Sequence, residues 1–544
     1  MLSVTRRELC AYFLGAASMP LMAACERAGS RTFDGALLGQ DHTLGHKLRD
    51  GFAPVPASRR RVAVVIVGAG AAGLSAAWRL ERAGLRDFEL LELEQVMGGT
   101  ARSGENSISR YPWAAHYVPC PLPHARTLRR LLVELGVARE NGEGELVYPE
   151  TALVRAPQER LFVADRWYEG LYPHAGASRD DLAQLERFEA EIARLAAVRD
   201  TGGAPGFTVP SAYSRPNSEL LQLDGQSFAE WCAAHGFNSP RLRFYLEYGT
   251  RDDMGTTLDQ TSAYAGLHYH CARLDGREPS AFLTWPEGNG RLIQHLAACA
   301  GPRLRTGVAV TRAHAADGGK VELTCYDAAS GRAELIEAEH VVFAMPQAWL
   351  ARVLEDPPAQ VLDAARELQT SAWLVANISL RRRPESRGFP ECWDNVLYGS
   401  RSLGYVVATH QTDSPERARS VWTWYLPHCG ADPKRDRREL LGLSFDECAA
   451  LVVADLTRAH PNIADCIERI DVFRWGHAMV RPVPGMFAGA LASLRERAQQ
   501  PVGGMHFAHT ELSGLALFEE AQWQGVRAAE EVLRAKDQLR ESFL

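Results

Sequence analysis

The sequence predicts an α/β fold built on a Rossmann-like βαβ unit, and three observations between Val62 and Glu92 predict it. An apolar, β-branched run from Val62 to Val67 reads as a buried strand, Gly68-x-Gly70-x-x-Gly73 follows directly, and a second apolar run after an amphipathic helix ends on the acid Glu92. Gly68 permits the tight strand-to-helix turn, Gly70 lets a pyrophosphate approach the backbone, and Gly73 lets the helix lie close on its strand. Ala71 and Ala72 open that helix, whose free amides and dipole favour an anion. Glu92 can accept hydrogen bonds from a ribose. A glycine-rich loop alone says little in a chain with 46 glycines; strand, helix and acid together specify a dinucleotide site.

A chain of 544 residues is too long for one core, so two domains and a leader are expected. With 46% apolar and 23% charged residues the composition is that of an ordinary globular protein, and a net charge of −7 without a long basic run excludes a nucleic-acid partner. Residues 1–25 are the leader. Thr5-Arg6-Arg7-Glu8-Leu9 precedes an apolar stretch too short for a membrane span, a pattern similar to the signal read by the twin-arginine export machinery. Leu21-Met22-Ala23-Ala24-Cys25 looks like a lipoprotein cleavage box, so the protein is expected to be exported, either periplasmic or tethered to a membrane through Cys25. Residues 26–60 read as a linker by composition, with His42 and His46 as surface residues. Nine cysteines lie beyond the leader; an odd number without C-x-x-C pairs gives neither a disulfide framework nor a metal site.

Segments beyond the βαβ unit narrow the cofactor. ELEQVMGGTARS carries Gly98 and Gly99 just after Glu92; WPEGNGRL, LRTGVAVTRA and VVFAMP lie between residues 285 and 346; MHFAHTELSGLALFEEAQWQGVRAA closes the chain from residue 505. Together these resemble the flavin-containing amine oxidase and phytoene desaturase superfamily over residues 61 to about 536. The resemblance implies FAD, held at Gly98, Gly99, Thr100 and Arg102 as well as the βαβ glycines. It further implies Ala115 and Tyr117 beside the flavin ring, Val310 against the cofactor, and Thr510 and Glu511 at the ribityl and phosphate groups. It also implies an interleaved chain: residues 61–115, 285–346 and 470–536 as the FAD-binding domain, 116–284 and 347–469 as an α+β substrate domain. Within the latter, Ser178 and Ser227 are expected to open helices, Gly236 to close one, and the runs near 372–380, 404–409 and 420–425 to form strands.

The sequence departs from the amine oxidases at the substrate wall. Their flavin-side lysine falls on Ala376 by counting, and their two sandwiching aromatics fall on Ala478 and Leu517. His116 and His509 are the candidate acid-base residues, with a purely hydrogen-bonding role as the alternative for each. Arg251, Asp252 and Asp253 are expected on the surface rather than in the pocket, and Trp285, Trp422, Trp424 and Trp475 are either core or substrate wall. The resemblance implies an FAD-dependent oxidoreductase removing a hydride equivalent from a C–N or C–C bond of a small molecule, and the missing lysine points to a dehydrogenase rather than an oxidase. The alternative is an exported FAD-binding accessory protein without catalysis.

Overall fold

The computed structural model describes residues 32–275, 278–279, 281–412 and 418–544. The twin-arginine leader and Cys25 lie outside the described residues. Five parallel strands form the heart of one sheet, in the order Leu304–Thr306, Phe88–Glu92, Pro56–Val67, Arg332–Phe343 and Met505–Phe507. The antiparallel strands Val321–Asp327 and Val308–Ala315 extend it beside the first half of Arg332–Phe343. Alternation within the buried strands divides the core. Val64, Ile66, Leu90 and Val342 face the helices Ala71–Arg82, Gly290–Ala300 and Phe518–Ala535, whereas Val65, Val67, Leu91 and Phe343 face Gln347–Val353 and Ala359–Glu367. The final helix crosses Ala71–Arg82 so closely that a Cβ at Gly525 would lie 1.9 Å from the Ala72 carbonyl oxygen.

The strand predicted from Val62 starts six residues earlier, at Pro56. Its charged beginning pairs with a charged neighbour: Arg60 bonds Glu89 at 2.5 Å and Glu334 at 2.6 Å, and Arg59 bonds Glu337 at 2.8 Å. Composition suggested a linker because the partner strand is some 270 residues away.

A second sheet of eight strands runs Gly35–Gly39, Ile467–Val480, Thr370–Leu380, Ser420–His428, Tyr405–Val407, Asp394–Leu397, Glu159–Val163 and Arg166–Glu169. Two sequence expectations change here. Gly35–Gly39, within the expected linker, pairs in parallel with Ile470–Arg474, and the helix His42–Arg49 follows, capped by the Asp41 side chain on the Leu44 amide. This arm reaches the first sheet, where the Asp41 amide donates to Glu94 Oε1 at 2.8 Å. Residues 470–480, expected with the FAD-binding segments, are the strand that pairs with Thr370–Leu380.

Over the second sheet lies a helical lid. Ser178 and Ser227 each form a reciprocal capping box, opening Arg179–Ala196 and Phe228–Ala234, and Gly236 takes the left-handed conformation just beyond the latter. Pro240–Met254 and Ala263–Cys271 complete it around Phe188, Trp231, Leu246 and Tyr264. All nine cysteines from Cys120 to Cys466 are free thiols.

Candidate active site

The carboxyl ends of the parallel strands converge on one cradle. Gly68 has φ 101°, and a Cβ there would lie 2.5 Å from the Ala344 carbonyl oxygen; a Cβ at Gly73 would lie 1.8 Å from the Gly68 oxygen. Gly70 differs: a Cβ would meet nothing within 4 Å, so at the uncapped N-terminus of Ala71–Arg82 the backbone faces open space. A pyrophosphate could approach the backbone here, beside the amides of Ala71 and Ala72. Gly98 donates its amide to Ala69 O at 2.8 Å, which lays the turn Gly98–Gly99–Thr100 against Gly70. From that turn the wall continues: Thr100 O accepts from Ala115 N, Arg102 O from Trp113 N, and Ala115 O from Asn289 N. Arg102 is buried, donates to Gly99 O at 3.2 Å and lies over the Trp475 ring at 5.1 Å.

Glu92 closes its strand with a carboxylate that accepts the Ala69 amide at 2.6 Å and the Glu94 amide at 2.9 Å. It therefore fixes the turn and retains lone pairs for a ribose. Val310 lies in the core beside Val67 and Leu91. The next strand end over carries the closing motif: Ala508 N donates to Phe343 O, and Thr510 and Glu511 follow. The Glu511 carboxylate accepts the Gln347 amide at 2.7 Å, and burial pushes its pKa up to about 7. His509 caps the short turn Thr510–Leu512 by accepting the Glu511 amide, and burial holds it down to about 4, hence neutral.

Glu511 links this cradle to pH. Its pKa is raised on folding from about 4.5 to about 7, so flavin-free protein loses stability as pH rises through that interval, up to about 3 kcal/mol. In flavin-free protein Glu511→Gln is expected to remove that loss and to unfold at higher denaturant than wild type at pH 8 but not at pH 4. Parallel curves for the two proteins would refute this.

The second candidate histidine stands at the far end of the wall. His116 sits among rings, its centroid 5.1 Å from Tyr117, 5.4 Å from Trp393 and 5.2 Å from Tyr425. Burial lowers its pKa to about 4, so it stands here as a neutral group. Tyr425 OH donates to Ala114 O at 2.9 Å, fixing this cage to the segment that carries Ala115.

Charge lies behind the rings. Tyr117 OH donates to Asp253 Oδ1 at 3.4 Å and accepts from Arg273 at 3.2 Å, and Arg273 is ion-paired with Asp253. Asp252 is within electrostatic reach of Asp253, Asp394 and Arg273; burial and the neighbouring carboxylates hold its pKa well above the usual carboxylate range. Tyr248 OH donates to Asp394 Oδ2 at 2.6 Å, and burial raises Asp394 to about 6 and Glu159 to about 7.

The surface placement expected for Arg251–Asp253 is thus overturned for the acids: the Asp253 side chain is 10% exposed, while Arg251 ends on the carbonyls of Ser400 and Arg401. A signal was present in the sequence. Leu242, Leu246, Gly249 and Asp253 recur at helical spacing after the Ser239 cap, so the acid sits on the buried stripe.

The missing lysine is also re-placed. Thr370–Leu380 alternates, and Trp373 and Val375 face the aromatic cluster of Trp113, Tyr425 and Trp475, whereas Leu374 and Ala376 face the opposite core. Asn377 is on the site side, donating to Pro112 O at 3.0 Å. The counted position, Ala376, thus faces away from the aromatic cluster, and no lysine stands on either face of the strand. Ala478 packs against the aromatic cluster and Leu517 against the lid core, so the two sandwiching rings are absent from those positions. Trp422 and Trp424 are core, Trp285 packs in the first domain, and Trp475 belongs to the site side.

Away from this site, Glu134, His295 and Cys299 offer ligand atoms within 4.8 Å of one another. Arg82 already donates to both Glu134 and Cys299, so the cluster holds its own cation.

Comparison with known proteins agrees with this architecture. The chain is 24% identical over 521 residues to oxidoreductase PigB from Serratia sp. (strain ATCC 39006), covering 86% of this chain and 74% of that protein. A variant of putrescine oxidase superposes with TM-score 0.65 at 16% identity over 88% of this chain and 100% of that one. Cyclohexylamine oxidase from Brevibacterium oxydans gives 0.62 at 18% over 88% and 99%, and a fatty acid isomerase from P. acnes 0.59 at 17% over 87% and 98%. The fold thus serves more than one chemistry. Residues 71–533 match the model of the flavin containing amine oxidoreductases, and the chain belongs to that family.

Proposed function

We propose that the protein binds FAD in the cradle of Gly68, Gly70, Gly73, Glu92 and Glu511 and removes a hydride equivalent from the carbon next to nitrogen in a small cationic amine. The observation that carries this reading is the bond from Tyr117, beside the flavin-facing wall, to the buried Asp253, with Asp252 and Asp394 close by. A flavin held here supplies a two-electron acceptor. The chain's own residues do the rest. His116, Tyr117, Trp393 and Tyr425 hold the carbon skeleton and exclude water, which strengthens each electrostatic contact inside. Arg273 balances only one of the neighbouring carboxylates, so in the empty site the Asp252–Asp253 pair keeps a proton. An arriving ammonium displaces that proton and takes its place. The same pair is then the acceptor for the proton the ammonium must lose before its C–H bond can donate hydride.

A C–C substrate is less well served, because an uncharged molecule cannot displace that proton and draws no binding energy from these carboxylates. The electron acceptor follows from the strand Thr370–Leu380. Its site-facing residues, Trp373, Val375 and Asn377, carry no cation, and His116 is neutral. No side chain on that strand face stabilises a developing oxygen anion. Reduced enzyme is expected to be reoxidised about tenfold or more faster by a soluble quinone than by air-saturated buffer in rapid mixing; equal rates would make it an ordinary oxidase.

A further inference from the structure

The amine chemistry releases protons inside a closed cage: one when the ammonium enters the Asp252–Asp253 pair, and one when that ammonium is neutralised. Hydride carries away the C–H hydrogen with its two electrons, so the N–H proton must leave by another route. The structure has a carboxylate placed for this that no step so far employs.

Glu519 lies in the first turn of the helix Phe518–Ala535 and is 4% exposed. Among the described residues its carboxylate hydrogen-bonds no other side chain or loop, whereas the adjacent Glu520 accepts the Ser211 amide at 2.6 Å. Glu519 lines a narrow cleft formed with Cys120, Leu122, His124, Val209, Ala272 and Arg273, wide enough for about one water molecule. The inner wall of that cleft is Arg273, which also holds Tyr117 and Asp253. Its outer wall is half-exposed at Leu122 and His124. Tyr117 and Pro119, two residues apart on one strand, share a side of it, and Arg273, which lines the cleft and bonds Tyr117 and Asp253, joins the cleft to the cage.

We infer that Glu519 is the proton outlet of the site, relaying protons from the Asp252–Asp253 pair to water in this cleft and so to solvent. The inference rests on the amine reading above. In each transfer an O–H or N–H bond breaks at the donor and an O–H bond forms at the acceptor, with no change in oxidation state. The groups facing Glu519 favour an exchangeable proton. Burial raises it to about 7, Arg273 opposes that, and Asp253 and Glu520 add to it. Cys120, whose thiol burial pushes up to about 12, is a poor relay at neutral pH by comparison.

The test is anaerobic rapid mixing of the holoenzyme with a panel of primary amines that includes putrescine and cyclohexylamine, from about pH 6 to about pH 10, in water and deuterium oxide. Glu519→Gln is expected to slow flavin bleaching about tenfold or more near pH 7 and to show a solvent isotope effect that wild type lacks. It should match wild type near pH 10, where much of the amine arrives already neutral. Leu122→Trp, which fills the cleft mouth and alters no charge, should behave in the same way and carries the test should Glu519→Gln fold poorly. Equal rates and isotope effects in wild type and variants at every pH would overturn the outlet. So would an equal loss at pH 7 and pH 10, the mark of a structural role. Wild type that no amine bleaches overturns the amine reading itself, and the outlet with it.

Discussion

Gly70→Val is expected to give a folded, soluble and colourless protein. A Cβ at this position meets no protein atom within 4 Å, so the added side chain starts into open space and the flavin-free fold is expected to hold. That same room is where the pyrophosphate must come, and the side chain would take it. Loss of FAD affinity by at least about a hundredfold, roughly 2.7 kcal/mol, is expected, read by visible absorbance of the purified protein and by titration of the stripped protein with FAD. Gly73→Ala provides the contrast. Its Cβ would fall 1.8 Å from a backbone oxygen of the same turn, so here the fold itself is expected to fail, with loss of soluble protein. A yellow Gly70→Val holding stoichiometric FAD would remove the cradle assignment.

The second large effect is at the substrate end. Asp252→Asn is expected to lower kcat/KM for a cationic amine about a hundredfold while leaving FAD content and thermal midpoint near wild type. Asp253→Asn is a harsher change, since it strips Arg273 of its ion pair in a buried site and is expected to destabilise the protein by about 3 kcal/mol or more. The Asp252 variant therefore separates binding of the ammonium from integrity of the lid. Asp394, raised to about 6, adds a pH signature: its charge appears as pH rises through that value, so affinity for the cation should increase from pH 5 to pH 7. An Asp394→Asn variant should lose part of that rise, the remainder coming from the proton the ammonium displaces at the Asp252–Asp253 pair. A rise in Asp394→Asn equal to that of wild type would show that Asp394 does not face the substrate.

The parts of this molecule legible in the sequence are those whose cause is local. Val62–Val67, the three glycines and Glu92 lie within one βαβ unit, and each residue's demand on the backbone is met within a few neighbours. Caps at Ser178 and Ser227 were legible for the same reason. Gly35–Gly39 was not, because nothing in five residues says that a strand 435 residues later offers a free edge. The substrate site was the least legible. Tyr248 meets Asp394 and Arg273 meets Tyr117 across 146 and 156 residues, and only the fold brings them together. The face on which Ala376 lies depends on the register of an eleven-residue strand, where an error of one position reverses inside and outside. Asp253 shows the middle case: its helical spacing from Leu242 and Leu246 was readable, but the charges around it suggested a solvated face.

The central claim, that a flavin in this cradle is reduced by a cationic amine held against Asp252 and Asp253, is tested most directly by anaerobic mixing of the yellow holoenzyme with amines and with alcohols of the same carbon skeleton. Bleaching of the visible flavin band by at least one amine, by none of the matched alcohols, and about a hundredfold more slowly in Asp252→Asn is the expected result. A flavin that stays oxidised with every amine, or one that alcohols bleach as readily, would contradict the account.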